Sequence, residues 1–174
     1  MTTVIQNATD NESRTRLLRN AKGFSLSEML IVLAVSVIMT AITIPSVTSG
    51  VRSYRVSSAV ASINWAIHST RYQALEEGYP FQVVFSSAAN TYQIQSSPTN
   101  NGVYTNLDTS VPYSSYPVVL SADTTLNFKP NGYVTPTTGT LVFTITYQGI
   151  CQKLSVTNYG NVSVTPSHPN PTCP

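Results

Sequence analysis

From Phe24 to Ile44 the chain runs for 21 residues with a single formal charge, Glu28. As a helix rising about 1.5 Å per residue this run spans about 31 Å, the thickness of a bilayer's hydrocarbon core. Arg14, Arg16, Arg19 and Lys22 precede it, against Asp10 and Glu12. That basic flank predicts an N-terminus held in the cytoplasm and export of the remainder. Beyond the leader, Arg52, Arg55, Arg71, Lys129 and Lys153 balance Glu28, Glu76, Glu77, Asp108 and Asp123. The exported part is therefore neutral and carries no nucleic-acid charge signature. Only 9% of all residues are charged, while Ser, Thr and Asn number 22, 23 and 13 of 174, a mix that suits an extracytoplasmic surface.

The acid is the puzzle. A carboxylate five residues into an apolar run costs a few kcal/mol unless it is paired. An ordinary secretory signal peptide has a shorter apolar region, roughly 7–15 residues, although a small-x-small site near Ala41–Thr43 can be argued. A plain signal anchor fits the length. Neither accounts for Glu28. A cut between Gly23 and Phe24 would create an α-amine at Phe24, one helical turn from Glu28. With a pKa of about 8, that amine is mostly protonated at neutral pH. The cut thus supplies the partner that makes the acid tolerable, within one subunit or between neighbours.

"GFSLSEML" followed by an apolar helix resembles the cleavage and methylation signature of type IV pilins and type II secretion pseudopilins. In that family the leader ends in Gly, here Gly23. The first mature residue becomes N-methylated, here Phe24, and an acid stands at the fifth mature position, here Glu28. Ser27 and Met29 depart from the residues more usual beside the acid. Pro45 falls at the twenty-second mature position, where pilins often carry a helix-kinking proline, and it removes one helical hydrogen bond. It would equally serve to end a transmembrane helix.

Past Pro45 the pattern stays helical. Val56, Val60, Ile63, Ile67 and Ala74, with Ala59 and Ala66 beside them, form a stripe suited to facing a sheet. Gly78 and Pro80 supply a stop. From Phe81 the period becomes two: "FQVVF" and "TYQIQ", separated by Ser86–Asn90, read as a hairpin. Residues 96–117 read as a long surface loop. Further strands are expected at "PVVL", "TLNF", "TLVFTITY", "CQKLSVT" and "NVSV", with turns at "KPNGY", "TPTTG", "YQG" and "NYGN". The tail "TPSHPNPTCP" is expected to form no regular element. Cys151 and Cys173, an isolated pair outside the cytosol, read as a disulfide, two free thiols being the alternative. "LNFKPNGYV", "GTLVFTITY" and "KLSVTNYGNVSV" also look like the C-terminal half of the GspH/FimT group, with Gly132 and Gly160 at its turn positions.

The expected fold is α+β. A long N-terminal hydrophobic helix, transmembrane and then domain spine, packs on an antiparallel β-sheet domain. The expected organisation is a cleaved cytoplasmic leader (1–23), a transmembrane or filament-core helix (24–50) and a periplasmic pilin-like domain (51–174). The chain contains no GxSxG, HExxH, P-loop or GxGxxG, and His68 and His168 stand far apart without acidic neighbours, so neither an enzyme nor a cofactor or metal site is expected.

What the resemblance implies is a structural minor pilin or pseudopilin, single-pass in the inner membrane before assembly. It would be processed by a prepilin peptidase and packed with other pilins through an inner-membrane platform, in contact with membrane lipid. Two alternatives are a FimT-like subunit that captures DNA and a plain membrane-anchored periplasmic domain. The few basic residues after Arg71, Lys129 and Lys153, make DNA an unfavoured partner.

Overall fold

The structure is a computed structural model that describes residues 23–169, with backbone alone at Pro45, His168 and Pro169. The leader before Gly23 and the tail from Asn170, including Cys173, lie outside the described residues. The chain divides into two units between Ser46 and Val47. One helix, α1 (Leu26–Glu77), contributes to both.

In the first unit every side chain described from Gly23 to Ser46 is exposed. Polar groups within the run are satisfied internally. Ser36 donates to Val32 O, Thr40 to Ser36 O and Thr43 to Met39 O, at 2.7, 2.7 and 2.8 Å. Each hydroxyl bonds the carbonyl one turn back, so no unsatisfied donor faces an apolar surround. The helix continues through Pro45.

In the second unit α1 becomes amphipathic. Val56, Ala59, Val60, Ile63, Ala66, Ile67 and Ala74 are all buried, as the apolar stripe predicts. Thr70 lies on the same face, fully buried, and donates its hydroxyl to Ala66 O. The helix stops because Gly78 takes φ +74°, a left-handed cap. Tyr79 then stacks on Phe81, with ring centroids 5.0 Å apart.

Among the described residues eleven strands follow in two sheets, and every pairing is antiparallel. The first sheet has the order β3 (Thr105–Asn106), β2 (Thr91–Ser96), β1 (Phe81–Ser86), β6 (Thr124–Phe128), β7 (Val134–Thr138), and β4 (Val111–Pro112) also pairs with β2. The second runs β10 (Val162–Val164), β9 (Ile150–Val156), β8 (Val142–Tyr147), β5 (Val119–Leu120), and β11 (His168–Pro169) also pairs with β9. The β1–β2 hairpin has the expected register, Phe81 opposite Ser96 and Ser86 opposite Thr91. Alternation puts Phe81, Val83 and Phe85 inside. They join Leu126, Phe128, Phe143, Ile145, Leu154 and the α1 stripe in one continuous core.

Three sequence expectations need correction. Residues 96–117 are more than a surface loop, because β3 and β4 both add to β2. Gln95 donates 2.7 Å to Asn106 Oδ1, and Tyr113 is only 1% exposed. The stretch containing "TPTTG" is partly strand β7, an edge strand in which Pro136 is tolerated, with a register shift between Thr125 and Leu126. The tail is not wholly irregular: His168 pairs with Cys151 and Pro169 with Ile150. Thr165 Oγ1 accepts from Lys153 N at 3.0 Å and leads the tail onto β9.

Tyr113 fixes the 96–117 segment to the hairpin. Its hydroxyl donates 3.2 Å to Asn90 Oδ1, and Asn90 O accepts from Tyr113 N at 3.1 Å. Burial, reinforced by the charge of Asp123, pushes the phenol up to about 12. Below pH about 10 the phenol is protonated folded and unfolded, so stability does not depend on its titration. Between about pH 10 and 12 the unfolded chain ionises while the folded phenol resists, and stability falls as pH rises. Thermal melts across that range should show the fall, and Tyr113→Phe should make it shallower; an unchanged slope in the variant would assign it to other groups.

Candidate functional site

At the N-terminal end, Gly23 and Phe24 precede α1 and are exposed, Phe24 at 73%. Ser25 is the last residue before the helix, and its carbonyl accepts from Glu28 N and Met29 N at 3.0 and 3.1 Å. Glu28 therefore sits in the first turn, where the helix dipole favours an acid. Ser25 and Glu28 also stand three apart in the S-x-x-E order of a capping box, a sequence signal for the helix start. In the structure the Ser25 hydroxyl meets Ser27 Oγ at 2.8 Å instead. No basic side chain among the described residues pairs with Glu28. With the leader attached, the Phe24 nitrogen is a peptide amide, so an amine partner belongs to a cut chain.

Beyond this end, 13 large apolar side chains from Phe24 to Ile44 stand open. A contiguous surface of that kind calls for lipid or another protein.

Within the domain, Gly132 and Gly160 sit in two neighbouring turns with φ +79° and +75°. Val134 N donates 2.7 Å to Asn158 O and ties the turns together, while Tyr133 and Tyr159 meet edge to face at 6.0 Å. Arg71 of α1 passes beneath. A Cβ at Gly160 would stand 2.5 Å from Arg71 Cδ, and one at Gly132 would stand 3.4 Å from Leu75 Cδ2. The two glycines are thus required by backbone conformation, and at Gly160 also by the arginine stem. Arg71's place between the turns had no signal in the sequence, because it depends on contacts across the chain.

Cys151 is buried in β9 and disulfide-bonded. Cys173, its expected partner, lies outside the described residues. His68 is exposed on α1. Among the described residues no group of three or more His, Cys, Asp or Glu side chains is placed to hold a metal.

Residues 59–160, from Ala59 of the α1 stripe through the Gly160 turn, match the family described as type II transport protein GspH. The chain belongs to the GspH family. Residues 18–44 match the prokaryotic N-terminal methylation motif, which brackets Gly23, Phe24 and Glu28. No curated relative matches the chain. Among solved structures, the type IV minor pilin FimU of Pseudomonas aeruginosa strain PAO1 is similar in two crystal forms. In one the TM-score is 0.49 at 15% identity, covering 64% of this chain and 88% of that one. In the other it is 0.47 at 15%, covering 63% and 92%. This GspH-family chain carries an N-terminal methylation motif ahead of an α+β domain.

Proposed function

We propose that this chain is a structural minor pilin or pseudopilin subunit. It is held in the inner membrane by residues 24–50, with the leader 1–23 cytoplasmic and the domain 51–174 periplasmic. A prepilin peptidase cuts between Gly23 and Phe24, and Phe24 is then N-methylated. The helix next leaves the bilayer through an inner-membrane assembly platform and packs beside those of other pilins, with Pro45 bending it for that packing and Glu28 paired to a Phe24 amine. Cys151 and Cys173 tie the tail to β9.

The observation that carries this reading is the open apolar surface of α1, continuous in sequence with a methylation motif at one end and a GspH-type domain at the other. One surface of this kind serves lipid before assembly and neighbouring helices afterwards. Mass spectrometry of the mature protein should find an N-terminus at Phe24 carrying one extra methyl group. A chain that begins near residue 44, or that keeps Met1, would sink the reading. A bulky residue in place of Gly23 should leave uncut precursor in the membrane.

A further inference from the structure

Where the domain begins, α1 and the tip of the β8–β9 hairpin enclose a cavity of about 230 Å³ lined by Val47, Thr48, Val51, Arg52, Arg55 and Gln148. The hairpin tip is a two-residue turn, Gln148 and Gly149, with φ +44° and +81°, the positive pair that a tight twisted hairpin needs. That turn sets Gln148 against the helix.

The two arginines differ in a way that matters. Arg55 is fixed: its Nη1 donates 2.6 Å to Tyr147 OH, and its Cζ lies 3.9 Å over the Tyr116 ring and 5.5 Å from the Tyr147 centroid. Such stacking holds a guanidinium in place while its charge remains available. Its Nε is buried and has no hydrogen-bond partner. Arg52, one turn earlier, is exposed. Neither arginine forms an ion pair among the described residues. Two cations without a carboxylate, one held in place and one exposed, beside the apolar Val47 and Val51, make a receptor for an anion that carries apolar chain.

Position along the chain selects among such anions. After Glu28 the next charge is Arg52, 24 residues later. At the helical rise those residues span about 36 Å, more than the roughly 30 Å of hydrocarbon and less than the roughly 40–45 Å that includes both headgroup layers. A chain with Glu28 at one polar boundary therefore brings Arg52 to the other. We propose that this cavity binds the phosphate of an anionic phospholipid, with Arg55 as the preorganised donor and Arg52 as the closing one. Val47 and Val51 contact the upper glycerol and acyl portion, and Gln148 bonds the headgroup hydroxyls. Before assembly the lipid holds the domain at the membrane surface, and incorporation into a filament requires its release. The proposal rests on the membrane reading above.

The test uses the full-length mature chain in nanodiscs containing equal phosphatidylglycerol and phosphatidylcholine, with native mass spectrometry of lipids retained on release. Retention of one phosphatidylglycerol per chain, favoured by roughly fivefold for each arginine engaged, is expected. Arg52→Gln, at an exposed position whose loss does not threaten the fold, should cut the preference about fivefold and leave the share that Arg55 supplies. Arg55→Lys should weaken it, because an ammonium does not reproduce the stacked planar fork. Lys129→Gln, which removes a charge elsewhere, should leave it unchanged. Equal retention of both lipids, or a preference undiminished by Arg52→Gln, overturns the proposal and leaves the membrane reading standing. Displacement of the lipid by inorganic phosphate at equal concentration would assign the cavity to a soluble anion and overturn it too. A chain that enters discs of neither composition refutes the membrane reading and this site with it.

Discussion

Phe85→Ala is expected to destabilise the domain by about 3–5 kcal/mol, the range for deleting a buried phenyl. Phe85 is fully buried in β1 of the first sheet. Its ring lies 6.2 Å from Tyr92 and 5.9 Å from Phe143, the latter on β8 of the second sheet. The ring therefore fills the contact where the two sheets meet, and β1 and β8 are backbone-paired to other strands and cannot readily close the gap. Against the roughly 5–15 kcal/mol that holds an ordinary domain together, such a loss is a large fraction. Urea unfolding should show the midpoint falling by more than about 1 M at unchanged slope. Val84→Ala, on the opposite face of the same strand, should cost less than about 1 kcal/mol. Equal effects from the two variants would mean that β1 does not bury the face described.

The same strand shows why part of this fold is legible in its sequence. Phe81, Val83 and Phe85 alternate with Gln82 and Val84, and the α1 stripe repeats at threes and fours, because burial on one face imprints a local period. Where order comes from distant contacts, no period is left. The 96–117 segment is anchored by Tyr113 against Asn90 and by Asn106 against Gln95, and its residues alone look like loop. Strand β7 needs hydrogen bonds on one side only, so Thr and Pro136 serve there and mimic a turn. The His168–Pro169 bridge is set by β9, not by its own composition. At the candidate site, Gly23, Phe24 and Glu28 are legible because the methylation motif is written in contiguous residues. Arg71 beneath two turns and Arg55 between two tyrosines are not, since each is defined by rings and backbone that the chain brings from some 60 to 90 positions away.

Glu28→Ala is expected to leave insertion and cleavage intact and to abolish incorporation into filaments. Two physical accounts of Glu28 compete, and they separate on a second variant. In the first, Glu28 is a first-turn acid beside Ser25, favoured by the helix dipole and by capping, effects worth a few tenths to one kcal/mol at an exposed helix end. In the second, it is the charge partner of a Phe24 amine that exists only after the cut. That pair lies among apolar helices, where leaving one charge unmatched costs far more than at a wet surface. Glu28→Gln keeps an acceptor and the shape of the side chain but removes the charge. Capping alone therefore predicts near-normal assembly for Gln and a modest loss for Ala. Charge pairing predicts that Gln fails as Ala does, with processed and methylated subunits accumulating in the membrane. Quantifying filament-incorporated against membrane-retained protein for both variants decides between them. The larger energy belongs to the pair, so Gln and Ala should be equally defective, and a Glu28→Gln chain that assembles like the parent would return Glu28 to the role of a helix cap.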